Sequence, residues 1–135
     1  MGKTLTIDTS DRMLLKNKYL LRCHNTLAET DMAIASENWN AAADRLYFTV
    51  FYAVNALFAK DGHTTKTNHG VKVLFKEHYV DNNIIDKGML TLFAQIETLR
   101  DKADCEVFFQ ATKNEILNYR SKVDDFIATI KKMLN

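Results

Sequence analysis

Arg100, Asp101 and Asp104 crowd into one short stretch of this chain, with Lys102 between them and Glu106 just beyond. On a helix, residues four apart share a face, so Arg100 and Asp104 project together. A guanidinium among carboxylates can bind a phosphate or a ribose, and it can equally brace the end of a helix as an ion pair. Asp44 and Arg45 pose the same question inside an otherwise apolar segment. Burying them without a partner costs several kcal/mol, so they either serve a ligand or pair with the first helix or with Arg100 and Asp104. His69, just before Gly70, stands where it can touch a ligand or close a turn. His24 falls within an apolar stripe and reads as a core or interface histidine. His63, His69 and His78 lack a Cys, Asp or Glu at a zinc-like spacing. No phosphate loop, dinucleotide fingerprint or Ser-His-Asp order is present, and the residues imply neither a metal nor a cofactor.

The elements that must position these residues are helices. Trp39, Ala43, Leu46, Val50, Ala53 and Leu57 recur at steps of three and four, one face of a 3.6-residue period. Tyr47, Phe51, Val54 and Phe58 repeat the pattern on a second face. A helix apolar on two faces is central in a bundle or shared between two chains, so Tyr47, Phe51, Tyr52 and Phe58 are expected in the core or at a dimer seam. Ser10 or Asp11 can cap a preceding helix that runs to about Asn38, with Leu20, His24, Leu27 and Ile34 along one stripe. Asn38 or Asn40 marks the turn into the second helix.

After Lys60, Gly62 supplies a left-handed stop and Thr67 or Asn68 can cap a short third helix from Gly70 to about Tyr79. Asp81 and Asn82 then end that helix and can cap the next. In the fourth helix Ile85, Met89, Leu92, Ile96, Leu99 and Ala103 form a narrow stripe. The last starts near Thr112 and carries Ile116, Tyr119, Val123, Phe126, Ile127, Ile130 and Met133. Proline is absent from all 135 residues, where usage near ~5% is ordinary, so nothing breaks these helices from within. The expected architecture is all-α, an antiparallel four- or five-helix bundle with the third helix as a short crossing element. It comprises a flexible tail over residues 1–10 and a single domain over 11–135.

Eighteen Lys and Arg against 17 Asp and Glu leave a net charge of +1, so no global field draws the chain onto nucleic acid or acidic membrane. Cys23 and Cys105 are far apart and read as reduced thiols of a cytoplasmic protein. No segment approaches the roughly 18 apolar residues of a membrane span.

Taken in order, Asp44-Arg45-Leu46-Tyr47-Phe48 through Asn55-Ala56-Leu57-Phe58, then His69-Gly70-Val71 with Phe75, then Leu99-Arg100-Asp101-Lys102-Ala103-Asp104, resemble the HEPN family over about residues 13 to 134. The resemblance implies an all-α bundle that dimerises. In prokaryotes it is often encoded beside, or fused to, a minimal nucleotidyltransferase in toxin-antitoxin pairs. Active members are metal-independent ribonucleases in which an Arg is followed, after four to six residues, by a His. The imidazole helps move the 2′-hydroxyl proton while Arg holds the phosphate.

Arg100 occupies the motif's Arg position, but the His positions hold Cys105, Glu106 and Val107. Arg12, Arg22, Arg45 and Arg120 fail the same count. Ala103-Asp104-Cys105 is similar to the non-catalytic-looking branch. The resemblance therefore implies a dimeric binding module partnered with a separately encoded nucleotidyltransferase. Its alternative is an atypical ribonuclease, or an RNA or nucleotide binder, using Arg100 with Asp104 or Glu106. Arg45, His69, Arg100, Asp101 and Asp104 are the candidate ligand-binding residues.

Overall fold

A computed structural model describes residues 9–65 and 67–135, and among these the regular elements are all helical. They are α1 (Thr9–Ala35), α2 (Trp39–Asp61), α3 (Asn68–Phe75), α4 (Lys87–Cys105) and α5 (Lys113–Leu134), with one π turn, Lys76–Val80, prolonging α3. The capping chemistry explains most boundaries. Asn38 accepts from the Ala41 N–H at the start of α2, and Gly62 closes that helix at φ 80°, a left-handed angle that favours glycine. Thr67 caps α3 by accepting from the Gly70 N–H. Thr112 and Glu115 form a reciprocal capping box at the head of α5.

Three expectations shift. α1 starts at Thr9 and stops at Ala35, because Glu37 turns at φ 56° and Asn38 is used as the cap of α2. The expected tail over residues 1–10 thus overlaps α1 at its end, and residues 1–8 lie outside the described residues. Asp86, rather than Asp81 or Asn82, caps α4 by accepting from the Gly88 N–H. His24 is exposed, not a core histidine. Leu20, Leu27 and Ile34 of the expected stripe do pack against the core, and the fully buried positions of α1 beside them are Cys23, Thr26 and Thr30. The two threonine hydroxyls donate to the carbonyls of Arg22 and Thr26, one turn back, so polar side chains enter the core without unmet hydrogen bonds.

α2 is the hub, packing against α1, α3, α4 and α5. Its small residues Ala42, Thr49, Ala53 and Ala56 lie along one side and are fully covered. Short side chains let two helix backbones approach closely, and α1, with its own Cys and Thr line, makes the most extensive packing against α2. The other side of α2 is aromatic. Tyr47 meets Phe93 edge-on, Phe58 stacks on Tyr79, and Phe75 lies among Tyr79, Phe93 and Phe126. Tyr47 and Phe58 are buried, whereas Phe51 and Tyr52 are half-buried at the core's margin, with Tyr52 stacked on Tyr19 of α1. Arg120 of α5 donates to both carboxylate oxygens of Asp31 on α1, at 2.7 and 3.1 Å, tying the outer helices across the hub.

No helix among the described residues is long and apolar enough to cross a membrane. Two outcomes test the packing. Phe75→Ala is expected to cost about 3–5 kcal/mol, as buried aromatic truncations do, measured by urea unfolding. Cys23 is buried and its thiol is pushed up to about 11 by that burial, against the lowering effect of Lys131, while Cys105 is exposed. A thiol titration of the native protein should therefore show one fast-reacting cysteine, the second reacting only on unfolding.

Candidate functional site

Antiparallel packing brings the first turns of α2 against the last turns of α4, and there the sequence-predicted Arg45, Arg100, Asp101 and Asp104 meet. Asp44 is the joint. Its Oδ1 accepts from Arg100 Nε at 3.3 Å and its Oδ2 from Arg45 Nε at 3.0 Å. Arg45 reaches on to Glu29 of α1 at 3.2 Å, and Arg100 to Asp101 at 3.5 Å and Asp104 at 4.0 Å. Both guanidiniums lie over the ring of Phe48, each 5.3 Å from its centroid, and Arg100 also lies 5.4 Å from that of Tyr47. Such cation–π contacts contribute about 0.5–1 kcal/mol each at exposed sites.

Asp44 and Arg45 are thus paired with the first helix and with Arg100, one of the arrangements open to them from sequence. Burial opposes the charge on each arginine, but the hydrogen bond to Asp44 and the surrounding carboxylates outweigh it, so both pKa values are raised. Two guanidiniums face four carboxylates, Glu29, Asp44, Asp101 and Asp104, which leaves the cluster net negative. Arg100 is only 24% exposed at its side chain, and its donors are directed at carboxylates. A phosphate arriving here would have to displace them. The cluster holds no imidazole, and burial, with Glu97 nearby, pushes Tyr47 up to about 12, so that its phenol keeps its proton at neutral pH. Glu106 is the exposed C-cap residue of α4, and His69 is exposed in the first turn of α3; neither joins the network.

The other histidines form a different group. The rings of His63 and His78 lie 4.3 Å apart at a mutual tilt of 33°, beside a 2.6 Å hydrogen bond from the Tyr79 hydroxyl to Asp61. Burial, His78 and Arg12 lower the His63 pKa, against the raising effect of Asp61. Among the described residues no three His, Cys, Asp or Glu side chains are placed to hold a metal ion.

Sequence reasoning missed two features. Asn40 is a clamp rather than a turn residue: its amide donates to the Phe109 carbonyl at 3.1 Å and accepts from the Ala111 N–H at 2.8 Å, pinning the α4–α5 loop. In that loop Val107 and Phe108 are 90% and 99% exposed. The run Val107-Phe108-Phe109 between two helices was the available signal.

The HEPN domain family matches residues 17–134 of the chain. The chain is similar to a protein of Thermotoga maritima named "UPF0332 protein", 20% identical over 113 residues that cover 84% of this chain and 86% of that one. It is also similar to a Methanocaldococcus jannaschii protein named "Putative toxin", 24% identical over 117 residues, 87% of this chain and 80% of the relative.

The network's weight is measurable. A double-mutant cycle on Asp44→Ala and Arg100→Ala is expected to give a coupling of about 0.5–1 kcal/mol in chemical unfolding, the upper range for partly exposed ion pairs. A coupling near zero would leave the aromatic stacking of Arg100 as its structural anchor.

Proposed function

The chain belongs to the HEPN family, and from that membership we propose that it is the binding component of a toxin-antitoxin-like system. It acts as a homodimer and engages a separately encoded minimal nucleotidyltransferase. The observation that carries this reading is the face formed by α2 and α4, where Arg45 and Arg100 lie over half-buried Phe48 within a carboxylate-rich rim. Aromatic and Arg side chains held in place by neighbours are the residue types that dominate protein–protein affinity. Their neutralisation by four carboxylates favours a protein partner over a polyanion, whose affinity rests on unspent positive charge. The name of the Methanocaldococcus relative supports the toxin side of the assignment.

The atypical ribonuclease reading, with Arg100 and Asp104 or Glu106 acting on RNA, has weaker support. It would need Arg100 released from Asp44 and a proton acceptor other than His. The test is affinity purification of the tagged protein from its native cells, with mass spectrometry and RNA recovery on the same eluate. The expected result is a stoichiometric nucleotidyltransferase, reduced at least tenfold by Arg100→Glu. RNA enriched without a protein partner, and cleaved by the parent but not by Arg100→Ala, would overturn the proposal in favour of the ribonuclease.

A further inference from the structure

At the end of α2 remote from the arginine cluster, two histidines share one small space. The His63 N–H donates to the Phe58 carbonyl at 2.8 Å, just past left-handed Gly62, so the stop of α2 fixes where this residue sits. Its ring meets those of Phe58 and Tyr79 edge-on, with centroids 6.2 and 6.1 Å away. His78 comes from the other side, on the π turn that prolongs α3, and its ring centroid lies 4.3 Å from that of His63. Tyr79, the next residue, stacks on Phe58 and donates its hydroxyl to Asp61 at 2.6 Å. The π turn is thus held to the end of α2 by a ring stack, one hydrogen bond and the imidazole pair. Turns of this kind are rare and are found mostly at functional sites.

Neutral imidazoles suit these aromatic surroundings, but two imidazolium rings at this distance repel, the more so where other rings displace water. Among the described residues, Asp61 of α2 favours a proton on His63, whereas His78 of the π turn and Arg12 of α1 oppose one. Asp61 already accepts from Tyr79 and lies 3.8 Å from Lys60. Arg12 packs so closely over Gly62 that a Cβ there would come within 2.7 Å of its guanidinium. Beside His78, Lys76 and Asp81 pair with each other at 3.1 Å, and Glu77 is exposed. Burial, His78 and Arg12 together outweigh Asp61 and hold the His63 pKa below its ordinary 6.5.

We propose that His63 and His78 form an acid-sensitive latch. With both rings neutral the π turn stays on the end of α2; with both protonated they separate, and the turn leaves α2 while the rest of α3 remains seated. Phe75 is fully buried and Lys72 pairs with Glu97 of α4 at 2.7 Å, so the anchor of α3 lies before the hinge. The opening is confined to residues 76–85, which are closed by hydrogen bonds from the Asp81 N–H to the Lys76 carbonyl and from the Ile84 and Ile85 N–H groups to the Tyr79 carbonyl. A group whose folded pKa is depressed lends stability that is complete above its unfolded value and is lost as the pH falls through the folded one. The latch is therefore closed above 6.5 and opens below it. It shares no residue with the arginine cluster and is independent of the proposed function.

The test is amide hydrogen exchange of the full chain at pH 7.5 and pH 5.5, corrected for intrinsic rates, in the parent and in His78→Gln. His78 is exposed, so its replacement leaves the core unchanged, and circular dichroism checks the fold. In the parent, acid should lower the protection of Asp81, Ile84 and Ile85 by about tenfold, the equivalent of one pKa unit, while buried Val123 of α5 keeps its own. In His78→Gln the same three amides should change by less than about threefold, and the His63 ring, followed by NMR, should titrate closer to 6.5. His63→Gln offers the same exchange comparison from the other ring. Equal acid losses in parent and variants, a loss at Val123 together with the three, or a His63 titration unmoved by His78→Gln would each overturn the latch.

Discussion

Everything in this molecule is arranged around the need to keep α2 out of water. Two sides of that helix are apolar, and they are covered in different ways. Against the Ala and Thr side, α1 lies close, contributing its own small residues and returning its hydroxyls to its backbone. Against the aromatic side stand α3, its π turn, α4 and α5, which together bring Phe75, Tyr79, Phe93 and Phe126 into one ring-packed centre. Each such core aromatic is worth about 3–5 kcal/mol on truncation, far more than any surface ion pair, so the hub sets where the other helices go.

The polar cluster is a consequence of that placement. Antiparallel α2 and α4 cannot cover the aromatic side without bringing Asp44 and Arg45 beside Arg100. A lone charge there would carry a desolvation cost. Asp44 removes it for both arginines by giving each guanidinium one of its carboxylate oxygens, and Phe48 provides a flat surface between them. The same residues that resemble a family's reactive motif are, in this chain, a satisfied network lacking an imidazole.

The α4–α5 loop obeys the opposite logic. Asn40 sits in the first turn of the hub helix, and its two hydrogen bonds hold a loop from nearly seventy positions further along the chain. The most buried helix thereby fixes the most exposed apolar side chains.

The helices, most of their caps and the central position of α2 were legible in the sequence, because they depend on local spacing. Periods of three and four, Asn38, Gly62, Thr67 and Thr112, and the absence of proline all act within a few residues of one another. Local pattern could not settle rotations and pairings. The stripe through Leu20 and Leu27 does pack against the core, but only the close fit of α1 on α2 left His24 outward and put Cys23 and Thr30 innermost. Which elements lie against the two apolar faces of α2 was likewise open; α1, α4 and α5 pack on them, and Phe48, Phe51 and Tyr52 stay half-buried at the margin. The pairing of Asp44 with Arg100 and the clamp of Asn40 on Phe109 and Ala111 join residues far apart in sequence. Residue types determined which contacts were possible, and only the packing of helices in three dimensions decided which of them formed.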